Sequence, residues 1–232
     1  MLRKDLILRS PVEKTIGSEN ITDSRFGAVL SRAGVGKTSF LVQIALTQLL
    51  KGNKILHVSL DDSMDKINLR YTEGFTNLVD SIGYVDPLKA DRLWDDIEPC
   101  KVGISYTETS FDSGKISDYL KSFKKADMDF PAIMVLDGLD FDKDNTDILE
   151  QLRQLNQEFS LPIWFAMQSH REEALTEDGF PVQLAAHNEL FDKALFLNPL
   201  DNKIQAVILK DGDRINQKYL LNPATMMVID QE

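Results

Sequence analysis

Cysteine is nearly absent from this 232-residue chain: Cys100 stands alone, so no internal disulfide can form. Histidine is scarce as well. His57, His170 and His187 lie far apart, and no Cys/His cluster has the spacing of a zinc site. Such a chain suits a reducing compartment, and we expect a cytoplasmic protein. Positive charge is in deficit, with 26 Lys and Arg against 37 Asp and Glu and a formal charge of -11. Nucleic-acid backbones and anionic membranes therefore repel the chain on average, which disfavours a general nucleic-acid binder while leaving room for a local basic patch. Long apolar runs are also missing. The sequence has no stretch of about 18 apolar residues, and MLRKDLILRSPVEK at the start is charged, so neither a membrane span nor a secretory leader is expected.

What is present is a hydrophobic fraction of 43%, enough for one substantial core at this length. Residues 1–24 are polar, contain Pro11 and Gly17 and read as an N-terminal arm or short edge element; 25–232 read as one domain. From residue 26 the pattern alternates. Segments 26–30, 54–60, 101–106, 132–136 and 162–167 read as strands; segments 37–50, 63–73, 112–125 and 145–159 read as helices with apolar residues at helical spacing. Residues 75–100 read as an insertion of short helices with little chemistry. Uniformly apolar strands separated by helices predict an α/β fold with a mostly parallel sheet covered on both faces. Toward the end, 194–197, 203–210, 217–221 and 226–229 are short strands joined by turn residues such as Asp201-Asn202 and Asp211-Gly212, which predicts an antiparallel extension.

The sharpest motif is SRAGVGKTSF, residues 31–40, between a predicted strand and a predicted helix. Glycines let a backbone turn its N–H groups toward one point, and a helix N-terminus adds partial positive charge. Ala33, Gly34, Val35, Gly36, Lys37, Thr38 and Ser39 would thus cradle phosphates, with Lys37 reaching the terminal ones and the Thr38 hydroxyl on magnesium. Ser31 stands where the usual pattern begins with glycine. Three further strands end in polar residues, Asp61, Asp137 and Gln168, and in an open parallel sheet ligands bind beyond the carboxyl ends of the strands. Asp137 is the second candidate magnesium residue. Asp61 or Asp62 could orient an attacking water, or could cap the helix that follows. Gln168 could sense a terminal phosphate, or could be a buried amide bonded to backbone.

Together these residues resemble the RecA-like P-loop ATPases, in particular the DnaB- and KaiC-type branch, over most of the span from Phe26 to Lys218. The resemblance implies ATP and Mg2+ as ligands, Lys37, Asp61 and Gln168 as catalytic residues, and Asp61 in the place of a catalytic glutamate. It implies Arg171, in FAMQSHR, as the basic residue following the glutamine strand. It further implies Lys210 and Arg214, in VILKDGDR, as residues that reach the phosphates of a neighbouring subunit, and hence a homo-oligomer with ATP sites at subunit interfaces and a protein partner controlled by nucleotide state. The segment HREEALTEDGFPVQLAAH, which would line a central channel, is acidic, so nucleic acid is not an expected partner. No guanine-reading Asn-Lys-x-Asp segment occurs. The chain also resembles the ParA/MinD class, through RAGVGKT and GNKILHVSLDD, with Arg32 at the signature lysine position. A sheet with the phosphate-loop strand beside the Asp137 strand, followed by a C-terminal hairpin, is what we expect of the RecA-like alternative. Asp61 also leaves open a scaffold that binds nucleotide without turning it over.

Overall fold

Apolar strands must bury both faces, and the helices between them do that in this computed structural model, which describes residues 2–107, 110–126, 128–170 and 175–229. In chain order the elements are α1 (Leu2–Arg9), α2 (Pro11–Thr15), β1 (Phe26–Ser31), α3 (Lys37–Leu50), β2 (Lys54–Ser59), α4 (Met64–Asp80), α5 (Pro87–Ile97), β3 (Lys101–Ser105), α6 (Ser113–Lys125), β4 (Pro131–Asp137), α7 (Thr146–Phe159), β5 (Ile163–Gln168), α8 (Val182–Ala185), β6 (Phe191–Leu200), β7 (Lys203–Lys210) and β8 (Lys218–Leu221). They build one eight-stranded sheet of order β3-β2-β4-β5-β1-β6-β7-β8. Strands β3 to β6 across this order run parallel, and β7 and β8 extend the sheet antiparallel.

The strand order corrects one expectation. The phosphate-loop strand β1 does not lie beside the Asp137 strand β4; β5 sits between them, paired with β1 from Phe26↔Ile163 to Ser31↔Gln168 and with β4 from Met134↔Ile163 to Leu136↔Phe165. Both β4 and β5 are continuous apolar runs, so their hydrophobicity alone does not say which occupies the place next to β1. The consequence is that Gln168 ends the strand between the phosphate loop and Asp137. The expected hairpin extension is present, but 226–229 is not a full strand and contributes only an isolated bridge, Leu221↔Val228.

Two hydrophobic layers cover the sheet. One packs Val29, Ile55, Val135 and Trp164 against α3 and α4; the other packs Leu30, Leu136, Phe165 and Met167 against Ile116, Leu120, Leu149 and Leu152 of α6 and α7. Helix α3 is buried on nearly all sides, from Phe40 to Leu50. Its polar residues are accommodated by hydrogen bonds: the Thr47 hydroxyl bonds the Gln43 carbonyl at 2.7 Å, and Gln43 Nε2 donates to the Gly74 carbonyl at 3.4 Å. Gly74 allows that approach, because a Cβ there would meet Leu46 at 3.0 Å. Helix α4 continues to Asp80, past the end at residue 73 that its sequence pattern suggests and into the region read as an insertion.

Residues 2–24 lie on the core. Leu6, Val12, Ile16 and Ile21 are buried within the α3 layer. Ser10 shares a 2.7 Å hydrogen bond with Thr47, and Trp164 Nε1 donates to the Ile21 carbonyl at 3.1 Å. Among the described residues, no helix is long and apolar enough to cross a membrane.

Candidate functional site

The loop from β1 to α3 takes its shape from two glycines in the left-handed region, Gly34 at φ +75 and Gly36 at φ +115. A residue with a Cβ is strained there, so the backbone path depends on them. Gly36 stands at the N-cap of α3 with no side-chain capping bond, which leaves the N–H groups of the first helical turn facing the loop. Lys37 opens the helix and is half-buried. Burial pushes its ammonium down, against the pull of the nearby Asp137 carboxylate, and its Nζ contacts the Arg32 carbonyl at 3.4 Å.

Beyond the carboxyl ends of β1, β2, β4 and β5 lies a cleft of about 500 Å³ lined by Lys37, Thr38, Asp61, Asp137 and Gln168, and also by Asp62, Arg70, Gly138, Asp140 and Asp142. The five candidate catalytic and metal-holding residues therefore share one cleft. Asp137 is nearly buried at the end of β4, and the neighbouring Thr38 hydroxyl favours its charged form. Gly138 follows at φ +88, and a Cβ there would lie 2.9 Å from the Asp61 backbone nitrogen. The Leu60 amide donates to the Asp137 carbonyl at 2.9 Å, which locks the ends of β2 and β4 together.

The two aspartates after β2 differ sharply. The Asp62 amide donates to Ser59 Oγ at 2.9 Å, and its carboxylate binds Lys66 at 2.6 Å and Arg70 at 2.9 Å. Burial works to raise the Asp62 carboxyl, but those two cations outweigh it and hold the group below its ordinary value. Among the described residues, no hydrogen bond or ion pair holds the Asp61 carboxylate. Neither aspartate caps α4, because Ser63 does so, its Oγ accepting from the Lys66 amide at 3.4 Å. Gln168 is exposed at the strand end and not a buried amide.

Lys210 and Arg214 do not line this cleft. Lys210 Nζ donates to the Asn188 carbonyl at 2.7 Å and to the Phe191 carbonyl, and Arg214 donates to the Thr15 and Ile16 carbonyls, tying the loop after β7 to the end of α2. Arg32 lines a separate cavity of about 190 Å³ with Ser169 and Phe196. Arg171 lies outside the described residues. Arg70 and Gly138 were not singled out from the sequence. The i, i+4, i+8 spacing of Asp62, Lys66 and Arg70 was the available signal for the first; for the second it was a glycine directly after an apolar strand ending in aspartate.

Asp137 allows a pH argument with a definite sign. Burial raises its carboxyl above the ordinary value, Thr38 opposes this, and the neighbouring Asp62 and Asp61 charges add to it. A carboxyl raised on folding favours the folded state while protonated, and that contribution is lost as pH rises from the unfolded value through the folded one. At neutral pH the chain without ligand thus carries a costly charge at Asp137. Asp137→Asn is expected to raise Tm at pH 7, by ~2–4 °C for each kcal/mol at this chain length, and to lose the advantage as pH falls below the folded value. Thermal melts of both proteins between pH 4 and 7 check this, and a lower Tm for the variant at pH 7 would contradict it.

No family model matches the sequence, and no curated protein matches it. Among solved structures the chain is similar to an ATPase domain, with a TM-score of 0.64 and 14% identity over 90% of this chain and 85% of that one. The eight-stranded sheet, the phosphate loop after its β1 strand, the C-terminal antiparallel strands and this likeness together give the chain the fold of the RecA-like P-loop ATPase domains.

Proposed function

We propose that the chain binds ATP with Mg2+ in this cleft, hydrolyses it slowly, and uses the nucleotide state to control its own assembly or a protein partner. The observation that carries the reading is the convergence of Lys37, Thr38, Asp61, Asp137 and Gln168 at the strand ends beside an uncapped helix N-terminus. The charge balance of the cleft fits a magnesium nucleotide. Among the described residues, five aspartates line it against two basic side chains, Lys37 and Arg70, so a bare polyphosphate would face net repulsion. Thr38 and Asp137, side by side in the cleft, are the residues that would hold the metal, which when bound would neutralise charge on the phosphate oxygens.

The other residues divide the work. The loop N–H groups and Lys37 bind the phosphates. Asp61 accepts a hydrogen bond from the attacking water, whose oxygen bonds to the terminal phosphorus as the bond from phosphorus to the ADP oxygen breaks, and the water's proton passes to Asp61 or to the phosphate released. Its carboxylate is the unengaged one of the Asp61-Asp62 pair, which favours it for this task. Gln168, on the strand between the phosphate loop and Asp137, donates to the terminal phosphate. Slow turnover follows from side-chain length: aspartate is one methylene shorter than glutamate, so its carboxylate is set back from the terminal phosphorus and positions the water less well for attack.

Assembly with a second copy belongs to the same proposal. Lys210 would serve a neighbouring site only by leaving two carbonyls, whereas Arg214 is held by the N-terminal segment. A scaffold that binds nucleotide without turnover is the second reading, and the shorter Asp61 is the observation that favours it.

The test is magnesium-dependent ATP binding and turnover by wild type and Asp61→Glu, with solution mass recorded with and without nucleotide. Asp61→Glu is expected to turn over faster than wild type, by about tenfold if the longer carboxylate recovers about 1.4 kcal/mol of the barrier. Binding with a change of mass and no turnover in either protein would establish the scaffold. Failure of wild type to bind any nucleotide would overturn both readings.

A further inference from the structure

Arg70 lies in the cleft, yet phosphate-loop chemistry assigns it nothing. It projects from the second turn of α4, where Ile67, Tyr71 and Gly74 fix the helix against β2 and α3: Ile67 and Tyr71 are fully buried, the Tyr71 hydroxyl meets His57 Nδ1 at 2.9 Å, and Gly74 sits against Leu46. Its guanidinium spends one nitrogen on Asp62, at 2.9 Å, while its Nε is buried without a hydrogen-bond partner. A buried N–H donor with no acceptor is costly, and a guanidinium presents its donors as a fork suited to two oxygens at once. The arrangement is half of a bidentate grip.

Asp62 is built to release it. The carboxylate is held at its other oxygen by Lys66, at 2.6 Å, and its backbone is pinned by Ser59, so it keeps a cation and its position when Arg70 leaves. We propose that Arg70 reads the terminal phosphate of the bound nucleotide and that Asp62 occupies the guanidinium in its absence. The pair would make the cleft discriminate a nucleoside triphosphate from a diphosphate. This rests on the nucleotide reading of the cleft and deepens it. In the diphosphate state Arg70 returns to Asp62, and α4 carries the difference between the two states toward α3, which it packs against, and toward the sheet.

The experiment measures the affinities of Mg-ATP and Mg-ADP for wild type, Arg70→Ala, Arg70→Lys and Asp62→Asn, with thermal melts to confirm folding. Arg70→Ala is expected to weaken ATP by about ten- to a hundredfold, the range for a lost charge-assisted pair, while ADP changes little. Arg70→Lys restores charge without the fork and is expected to recover only part of the preference. Asp62→Asn removes the competitor and is expected to tighten ATP while leaving ADP near the wild-type value. Equal weakening of ATP and ADP by Arg70→Ala would overturn the proposal by reducing Arg70 to a structural or general electrostatic role. So would an unchanged preference in a folded Arg70→Ala protein. Wild type that binds neither nucleotide would overturn the reading of the cleft itself, a result distinct from wild type that binds both and a variant that keeps the ratio.

Discussion

Lys37→Ala is expected to lower ATP turnover by about a hundred- to a thousandfold, the usual cost of removing one preorganised charge donor from a phosphate-transfer site, and to weaken both ATP and ADP. The size of the effect follows from how little else opposes the carboxylates. With Lys37 gone, Arg70 is the sole basic side chain left lining the cleft among the described residues, against Asp61, Asp62, Asp137, Asp140 and Asp142. The burial that pushes the Lys37 ammonium down in the free chain also lowers the local dielectric, so a phosphate there interacts with it more strongly than in water. Loss of both nucleotides separates this residue from Arg70, whose removal acts on the triphosphate alone. The fold is expected to survive: the side chain makes one long contact, 3.4 Å to the Arg32 carbonyl, and its removal relieves a desolvated charge. Equilibrium binding with both nucleotides, beside a thermal melt, checks the expectation. A variant that melts like wild type and binds ATP as tightly would remove Lys37 from the site.

Gly138→Ala is expected to damage stability and site together. The backbone at Gly138 sits at φ +88, where an L residue is strained at a cost of about 1–3 kcal/mol. The new methyl would stand 2.8 Å from Asp61 Cγ and 2.9 Å from the Asp61 amide nitrogen, and the second of these is backbone that cannot swing aside. Relief requires the β2 and β4 ends to part, yet the hydrogen bond from the Leu60 amide to the Asp137 carbonyl holds them together. The expected result is a lower Tm together with loss of turnover that Asp61→Glu does not rescue, because the whole strand end has moved and not the carboxylate alone. A Gly138→Ala protein with wild-type Tm and turnover would show that the approach of Asp61 to Gly138 is unimportant. The Asp137→Asn substitution one position earlier has the opposite sign on stability, which makes the adjacent pair a sensitive test of the local geometry.

Much of this site was legible in the sequence because it is assembled from strand ends. An apolar run followed by a polar residue marks where a buried strand reaches the edge of the core, and a parallel sheet sends all such ends to one side. Asp61, Asp137 and Gln168 could therefore be expected beside the phosphate loop, and the structure brings them there. Three features were not legible. The length of α4 was understated because its buried face, Ile67, Tyr71, Phe75 and Leu78, is interleaved with exposed polar residues that blur the pattern past residue 73. The place of β5 between β1 and β4 was misjudged because both candidate neighbours of β1 are uniformly apolar. Residues 1–24 read as an arm or short edge element because they are polar, interrupted by Pro11 and Gly17 and weakly periodic, and that pattern does not show that Leu6, Val12, Ile16 and Ile21 are buried.

The alternation of strand and helix, the phosphate loop with its two obligatory glycines, and the side of the sheet on which the chemistry would lie are all written in local spacing and backbone freedom, and can be read along the chain. Three other outcomes came only with the assembled fold: which aspartate after β2 stays unengaged, the entry of Arg70 into the cleft with an unpartnered donor, and the capture of Arg214 by the Thr15 and Ile16 carbonyls. Each depends on how whole elements pack, so the choice of partner is made by proximity and charge in three dimensions, and spacing such as that of Asp62, Lys66 and Arg70 does not by itself decide it.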